Sequence, residues 1–219
     1  MSKNCIADLF PGFAPSLTWG GLRAGRAAPL LFVLGCLQWG AQLAHAQEGA
    51  AATSLMATKA APALEQPAVL SPYGSTWAAK GTGALKFFGF KAYDITLWLP
   101  AAQAGVFSFR QPFALDITYN TTVTATDINN TSLIEMARIS AGTPEQVNAW
   151  SALMKNVFVD VKSGDRLVGV HLPTAGARFF LNGKLLGETS DVTFSEAFFR
   201  IWLDPKARKP DLRNALLGQ

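Results

Sequence analysis

The alternation from Lys91 to Pro100 constrains this chain more than any other stretch. Tyr93, Ile95, Leu97 and Leu99 share odd positions while Asp94 and Thr96 take even ones, the two-residue period of a strand with one face on a core. Pro100 ends the run. Phe113 to Tyr119 repeats it, with Phe113, Leu115, Ile117 and Tyr119 set against Asp116 and Thr118. Strands of this kind must bury one sheet face, and the later periodicities show what covers it.

Asp127 to Ala141 reads as a helix stopped by Gly142. Thr143-Pro144-Glu145-Gln146 then combines an N-cap, a proline at the first helical position and a capping-box glutamine. Val147, Trp150, Leu153, Met154, Val157 and Phe158 follow at helical spacing, a stripe suited to core packing. Turns at Ser163-Gly164-Asp165 and Pro173–Gly176 bound strands over 166–172 and 177–181. Asn182-Gly183, a hairpin signal, leads back through Lys184 to Glu188. Thr193-Phe194-Ser195-Glu196 is expected to box a helix carrying Phe194, Ala197, Phe198, Ile201 and Trp202, and Asp211 to Leu217 forms a last short helix. The stretch from Trp77 to Leu99 reads as extended throughout, with Gly89 as a bend or bulge. The order predicts an α+β fold, an antiparallel sheet with helices on one face.

The first 46 residues read as an address. Arg23 and Arg26 precede the apolar run Ala27–Leu37, and Ala44-His45-Ala46 supplies a small-x-small cleavage site. Cys36, within Leu34-Gly35-Cys36, offers an alternative lipoprotein cleavage. Residues 47–74, Ala-rich with Pro62, Pro67 and Pro72, read as a flexible leader, and residues 75–219 as the domain. Cleavage after Ala46 removes Cys5, Cys36 and His45, leaving His171 as the one histidine and no cysteine. That excludes thiol catalysis, disulfides, and cysteine- or histidine-rich metal sites, so no metal or cofactor is expected. An export signal predicts a periplasmic or secreted protein. The net charge of +4 lacks the dense basic block of a nucleic-acid binder. Lys206, Arg208, Lys209 and Arg213 make a basic patch that can meet an anionic membrane surface.

Four stretches carry a family resemblance: Gly81-Thr82-Gly83 leading to Lys91-Ala92-Tyr93 and Leu97-Trp98-Leu99-Pro100; Val161-Lys162-Ser163-Gly164-Asp165; Phe180-Leu181-Asn182-Gly183-Lys184; and Arg200-Ile201-Trp202-Leu203 with Leu216-Leu217-Gly218. In order and spacing the chain resembles the chalcone isomerase-like family, in its bacterial exported branch. The resemblance implies an open-faced β-sandwich, a large antiparallel sheet under a helical layer. It also implies a choice of roles, since the family holds plant enzymes that close chalcones into flavanones, relatives that bind fatty acids, and bacterial members without assigned activity. The enzymes hold a phenoxide with an arginine and polarise a ketone with hydroxyl donors. Their arginine falls on or near Leu85, their threonine near Tyr93, and their tyrosine and asparagine around Thr126 or Asp127 and near Leu133.

A lysine does not replace the guanidinium fork, so flavanone formation is not expected. Lys91 shares strand parity with Tyr93 and can turn towards the same pocket; Lys86 has the opposite parity unless Gly89 resets it. Lys86, Lys91 and Tyr93 are therefore the candidate ligand-binding residues. Three readings stand open: a non-catalytic binder of a fatty acid or similar small amphiphile, an isomerase or intramolecular lyase on a phenolic substrate, and a structural or partner-binding envelope protein. His171 carries no nucleophile motif and reads as structural.

Overall fold

Six strands pair in chain order into one antiparallel sheet: β1 (Trp77–Phe87), β2 (Phe90–Pro100), β3 (Phe113–Tyr119), β4 (Arg166–Leu172), β5 (Gly176–Leu181) and β6 (Lys184–Thr189). Two helices, α1 (Ala125–Arg138) and α2 (Pro144–Val157), lie between β3 and β4, and α3 (Val192–Leu203) and α4 (Pro210–Leu217) follow β6. This computed structural model describes residues 64–219 other than Ser75 and Phe88, with Phe87 in its backbone alone. The signal-peptide, lipoprotein and residue 47–63 readings lie outside the described residues. The α+β arrangement, antiparallel sheet and helical layer, is the one the sequence predicts.

Strand parity builds the two faces. Tyr93, Ile95, Leu97, Leu99, Phe113, Leu115, Ile117 and Tyr119 join the main core with Trp150, Met154, Phe194, Phe198 and Leu216 of the helices. The expected bounds of β3 and β4 match the structure, and the Asn182-Gly183 turn has both residues at positive φ (50° and 81°), as a type I′ hairpin needs. The terminal helix packs directly on β1 because Gly81 and Gly83 carry no side chain. A Cβ on Gly81 would lie 2.1 Å from the carbonyl oxygen of Ala215, and one on Gly83 2.5 Å from Leu212 Cδ1.

Four expectations need correction. The extended stretch Trp77–Leu99 is a hairpin of two strands, and Gly89, at φ 84°, is its turn. The pairing shifts instead between Ala79 and Gly81 and again between Leu85 and Lys86, the second shift leaving Ala92 as the extra residue between Lys91 and Tyr93. Residues 64–74, read as leader, cross the back of the sheet. There a 3-10 helix over Ala68–Tyr73 buries Leu70 against Trp77, Trp98, Ala114, Val168 and Val170. The first helix ends at Arg138 rather than Ala141, because Ser140 itself takes the left-handed turn (φ 57°) and Ala141 N–H donates to Met136 O at 2.9 Å. Finally, α3 is capped by Asp191, not Thr193: one Asp191 oxygen accepts from Phe194 N–H and the other from Trp150 Nε1–H, both at 2.9 Å.

Candidate functional site

Where β2 and β3 meet α1, α3 and the segment leading into α4, the core leaves a hollow of about 100 Å³. Leu85, Ala92, Ile117, Val123, Leu167, Phe198 and Leu212 give it apolar walls, and Tyr93, Tyr119, Thr131, Ser132, Glu135, Trp202, Arg208 and Lys209 add polar groups. Tyr93 and Tyr119 are direct cross-strand partners, their rings edge to face with centroids 6.0 Å apart. The Trp202 indole donates to the Tyr93 hydroxyl at 2.9 Å, a clasp from α3 to the sheet. An indole N–H only donates, so Tyr93 accepts and its own proton is left for another acceptor. Burial pushes the Tyr93 phenol up to about 12; the indole hydrogen bond opposes the rise and the Glu135 carboxylate adds to it. Burial, with Tyr93 beside it, pushes the Tyr119 phenol up as well. Both therefore stay protonated donors at neutral pH.

The charged end is built on α1. Ile128, Thr131, Ser132 and Glu135 follow the i, i+3, i+4, i+7 spacing of one helix face, and all four line the hollow. Glu135 is only 2% exposed. Arg138 Nε reaches one of its oxygens at 2.8 Å and Arg208 Nε the other at 2.5 Å. Two cations on one carboxylate satisfy the buried charge and leave the cluster net positive. Arg138 is held further by donating to Lys206 O at 2.8 Å. The hollow thus has two phenol donors and an arginine in its lining, a setting for an acceptor-bearing or anionic head group, among hydrocarbon side chains.

Of the three residues named from the sequence, Tyr93 lines the hollow, while Lys86 and Lys91 do not. Lys91 is exposed and paired with Asp94 at 2.7 Å. The extra residue at Ala92 breaks the shared parity between Lys91 and Tyr93, turning Ala92 inward and Lys91 out. Leu85, at the position implied for the enzymes' arginine, pairs across the hairpin with Tyr93 and is 5% exposed. Asp127 is occupied in capping α1, where its Oδ2 accepts from Thr124 Oγ1–H at 2.7 Å, and Leu133 packs on the core without lining the hollow. Arg110 is exposed, and Arg178 pairs with Glu188 and Tyr73 on the opposite face. Sequence reasoning did not assign Tyr119, Thr131, Ser132, Glu135 or Arg208 to the site. The available signal was the polar face Thr131-Ser132-Glu135, set where a helix lying on a sheet normally carries a hydrophobic stripe.

His171 is 1% exposed. Its Nε2 lies 2.9 Å from Phe109 O and its Nδ1 2.7 Å from Ser195 Oγ. A carbonyl only accepts, so Nε2 carries the proton and Nδ1 accepts from the serine. Both groups are walled in by Phe113 and Phe199, away from the hollow, so this pair is structural. Among the described residues, no three His, Cys, Asp or Glu side chains converge to hold a metal.

An open antiparallel sheet, a helical layer and a donor-lined hollow between them define the class: an α+β pocket protein. The family model described as chalcone isomerase-like matches residues 62–218, and the chain belongs to that family. A crystal structure of an Arabidopsis thaliana fatty-acid binding protein is similar at TM-score 0.47 and 10% identity, covering 67% of this chain and 92% of that one. No curated protein matches this sequence.

Proposed function

We propose that this protein is a non-catalytic binder of a small amphiphile, its acceptor head at Tyr93, Tyr119 and Arg208 and its apolar part against Leu85, Ile117, Leu167 and Phe198. One observation carries this reading: a hollow whose lining combines protonated phenol donors and a guanidinium with hydrocarbon side chains. Size narrows the ligand. An apolar cavity of about 150 Å³ holds a benzene ring, so a hollow of about 100 Å³ favours a short acyl chain over a ring. Leu85, 5% exposed in place of a strand arginine, argues against the phenoxide chemistry of the family's enzymes. The proposal includes export to a bacterial periplasm, supported by the basic, apolar and Ala44-His45-Ala46 pattern of the leader.

The test is calorimetric titration with hexanoate and hexanol, in the wild type and in Leu85→Trp, which fills the hollow. The proposal expects saturable binding, tighter for the acid, that is lost in the filled variant. Equal binding by Leu85→Trp, or none by the wild type, contradicts it. Amino-terminal sequencing of the protein from its native host checks export: a mature chain beginning at Gln47 is expected, and an intact Met1 contradicts that part.

A further inference from the structure

At the tip of the β1–β2 hairpin an aromatic side chain stands in solvent. Phe90 is 81% exposed, while Leu85 and Tyr93 on the same two strands are buried. In sequence the tip reads Lys86-Phe87-Phe88-Gly89-Phe90-Lys91, and the exposed Phe90 stands between Lys86 and Lys91, both exposed. Its base belongs to the hollow, since Leu85 and Ala92 line the same space as Arg208 and Lys209. Four cations, Lys86, Lys91, Arg208 and Lys209, therefore gather at this end of the molecule. The facing acids are Asp94, held by Lys91 and Asn120; Glu135, buried between two arginines; and Asp211, exposed in the first turn of α4.

We propose that this tip docks the protein on an anionic lipid bilayer, Phe90 entering the headgroup boundary while Lys86 and Lys91 reach the lipid phosphates. A narrow convex turn cannot bury the roughly 800 Å² per partner that a stable protein interface needs. A bilayer encloses such a tip from all sides, and lysine stems lie along the boundary with their charges outside it. Among the described residues no helix is long and apolar enough to cross a membrane. Docking at the tip sets the Leu85 and Ala92 wall of the hollow near a surface rich in amphiphiles; only that last step, the bilayer as source of the ligand, rests on the binding function proposed above.

Flotation of the full chain with vesicles of phosphatidylcholine alone, or with three parts in ten phosphatidylglycerol, tests the docking. Residues 1–63 are common to every variant, so differences report on the tip. The wild type is expected to float preferentially with the anionic vesicles. Phe90→Ser is expected to lower the bound fraction about tenfold, and each of Lys86→Glu and Lys91→Glu about fivefold or more, all with unchanged melting temperatures. Equal flotation of wild type and Phe90→Ser, or indifference to the anionic lipid, overturns the proposal. Hexanoate titration of Phe90→Ser separates the two readings. Retained hexanoate binding with lost flotation supports docking as a distinct surface; hexanoate binding without any wild-type flotation overturns docking and leaves the pocket standing.

Discussion

The same face of one sheet is finished in two ways. Towards the β4–β5 end, Phe113, Phe158, Phe179, Phe194, Phe198 and Phe199 interlock, with neighbouring centroids between 5.0 and 6.4 Å. The buried polar pair there, His171 and Ser195, is satisfied within the protein, and Gly169 lets Phe199 lie on the strand: a Cβ would meet its ring at 3.1 Å. At the β2–β3 end the sheet carries two tyrosines instead, and α1 presents Thr131, Ser132 and Glu135 where hydrocarbon would close the layer. Phe198 contributes to both ends, so the hollow is not a general looseness of the helical layer. Where rings interlock the helical layer closes on the sheet; where two tyrosines meet the polar face of α1, space is left.

The difference can be broken most forcefully from the filled side. Phe199→Ala is expected to cost about 3–5 kcal/mol in urea denaturation, because rings on every side hold the vacated volume open; a loss below about 1 kcal/mol would show this end to be as yielding as the other. Filling the hollow is expected to do the reverse. Leu85→Trp should abolish hexanoate binding while leaving stability within about 1 kcal/mol of the wild type, and strong destabilisation would mean that the space is not there to be filled. Tyr93→Phe removes the acceptor of the Trp202 indole and one ligand donor. Calorimetry should show about tenfold weaker hexanoate binding and denaturation a loss of about 1 kcal/mol, and unchanged affinity would remove Tyr93 from the head-group site.

The smallest effect belongs to pH. Burial holds His171 below its ordinary value of 6.5, against the hydrogen bond to Phe109 and the Glu196 charge. The unfolded chain then takes up the proton first, so this contribution to stability is present above pH 6.5 and is lost as pH falls through it, by at most about 1.4 kcal/mol per pH unit. Melting temperatures at pH 8, 6.5 and 5.5 check this, and a slope that persists in His171→Gln would assign it to other groups.

Much of the fold was legible because it rests on local signals. Alternation defined β3 and the core face of β2, flanking turns bounded β4, and the Thr143–Gln146 capping box forms as read. What escaped depends on distant partners. Asp191 displaces Thr193 as the cap because Trp150, far away in sequence, occupies its second oxygen. The residue 64–74 segment looks like a leader until Arg178 donates to Tyr73 and Gln66 Oε1 accepts from Trp77 N–H across the sheet. The site was half legible. Tyr93 and Leu85 follow from strand position, but one inserted residue at Ala92 reverses Lys91. The Glu135–Arg208 pair spans 73 residues, and no local pattern joins them.

The central claim is that the hollow between Tyr93, Tyr119 and Glu135 receives a small amphiphile while the aromatic end stays closed. Heteronuclear NMR during titration with hexanoate measures this residue by residue. The account predicts saturable shifts at Leu85, Tyr93, Ile117, Tyr119 and Leu167 with Phe179 and Phe199 unmoved. Shifts centred on the aromatic end, or none at saturating hexanoate, would contradict it.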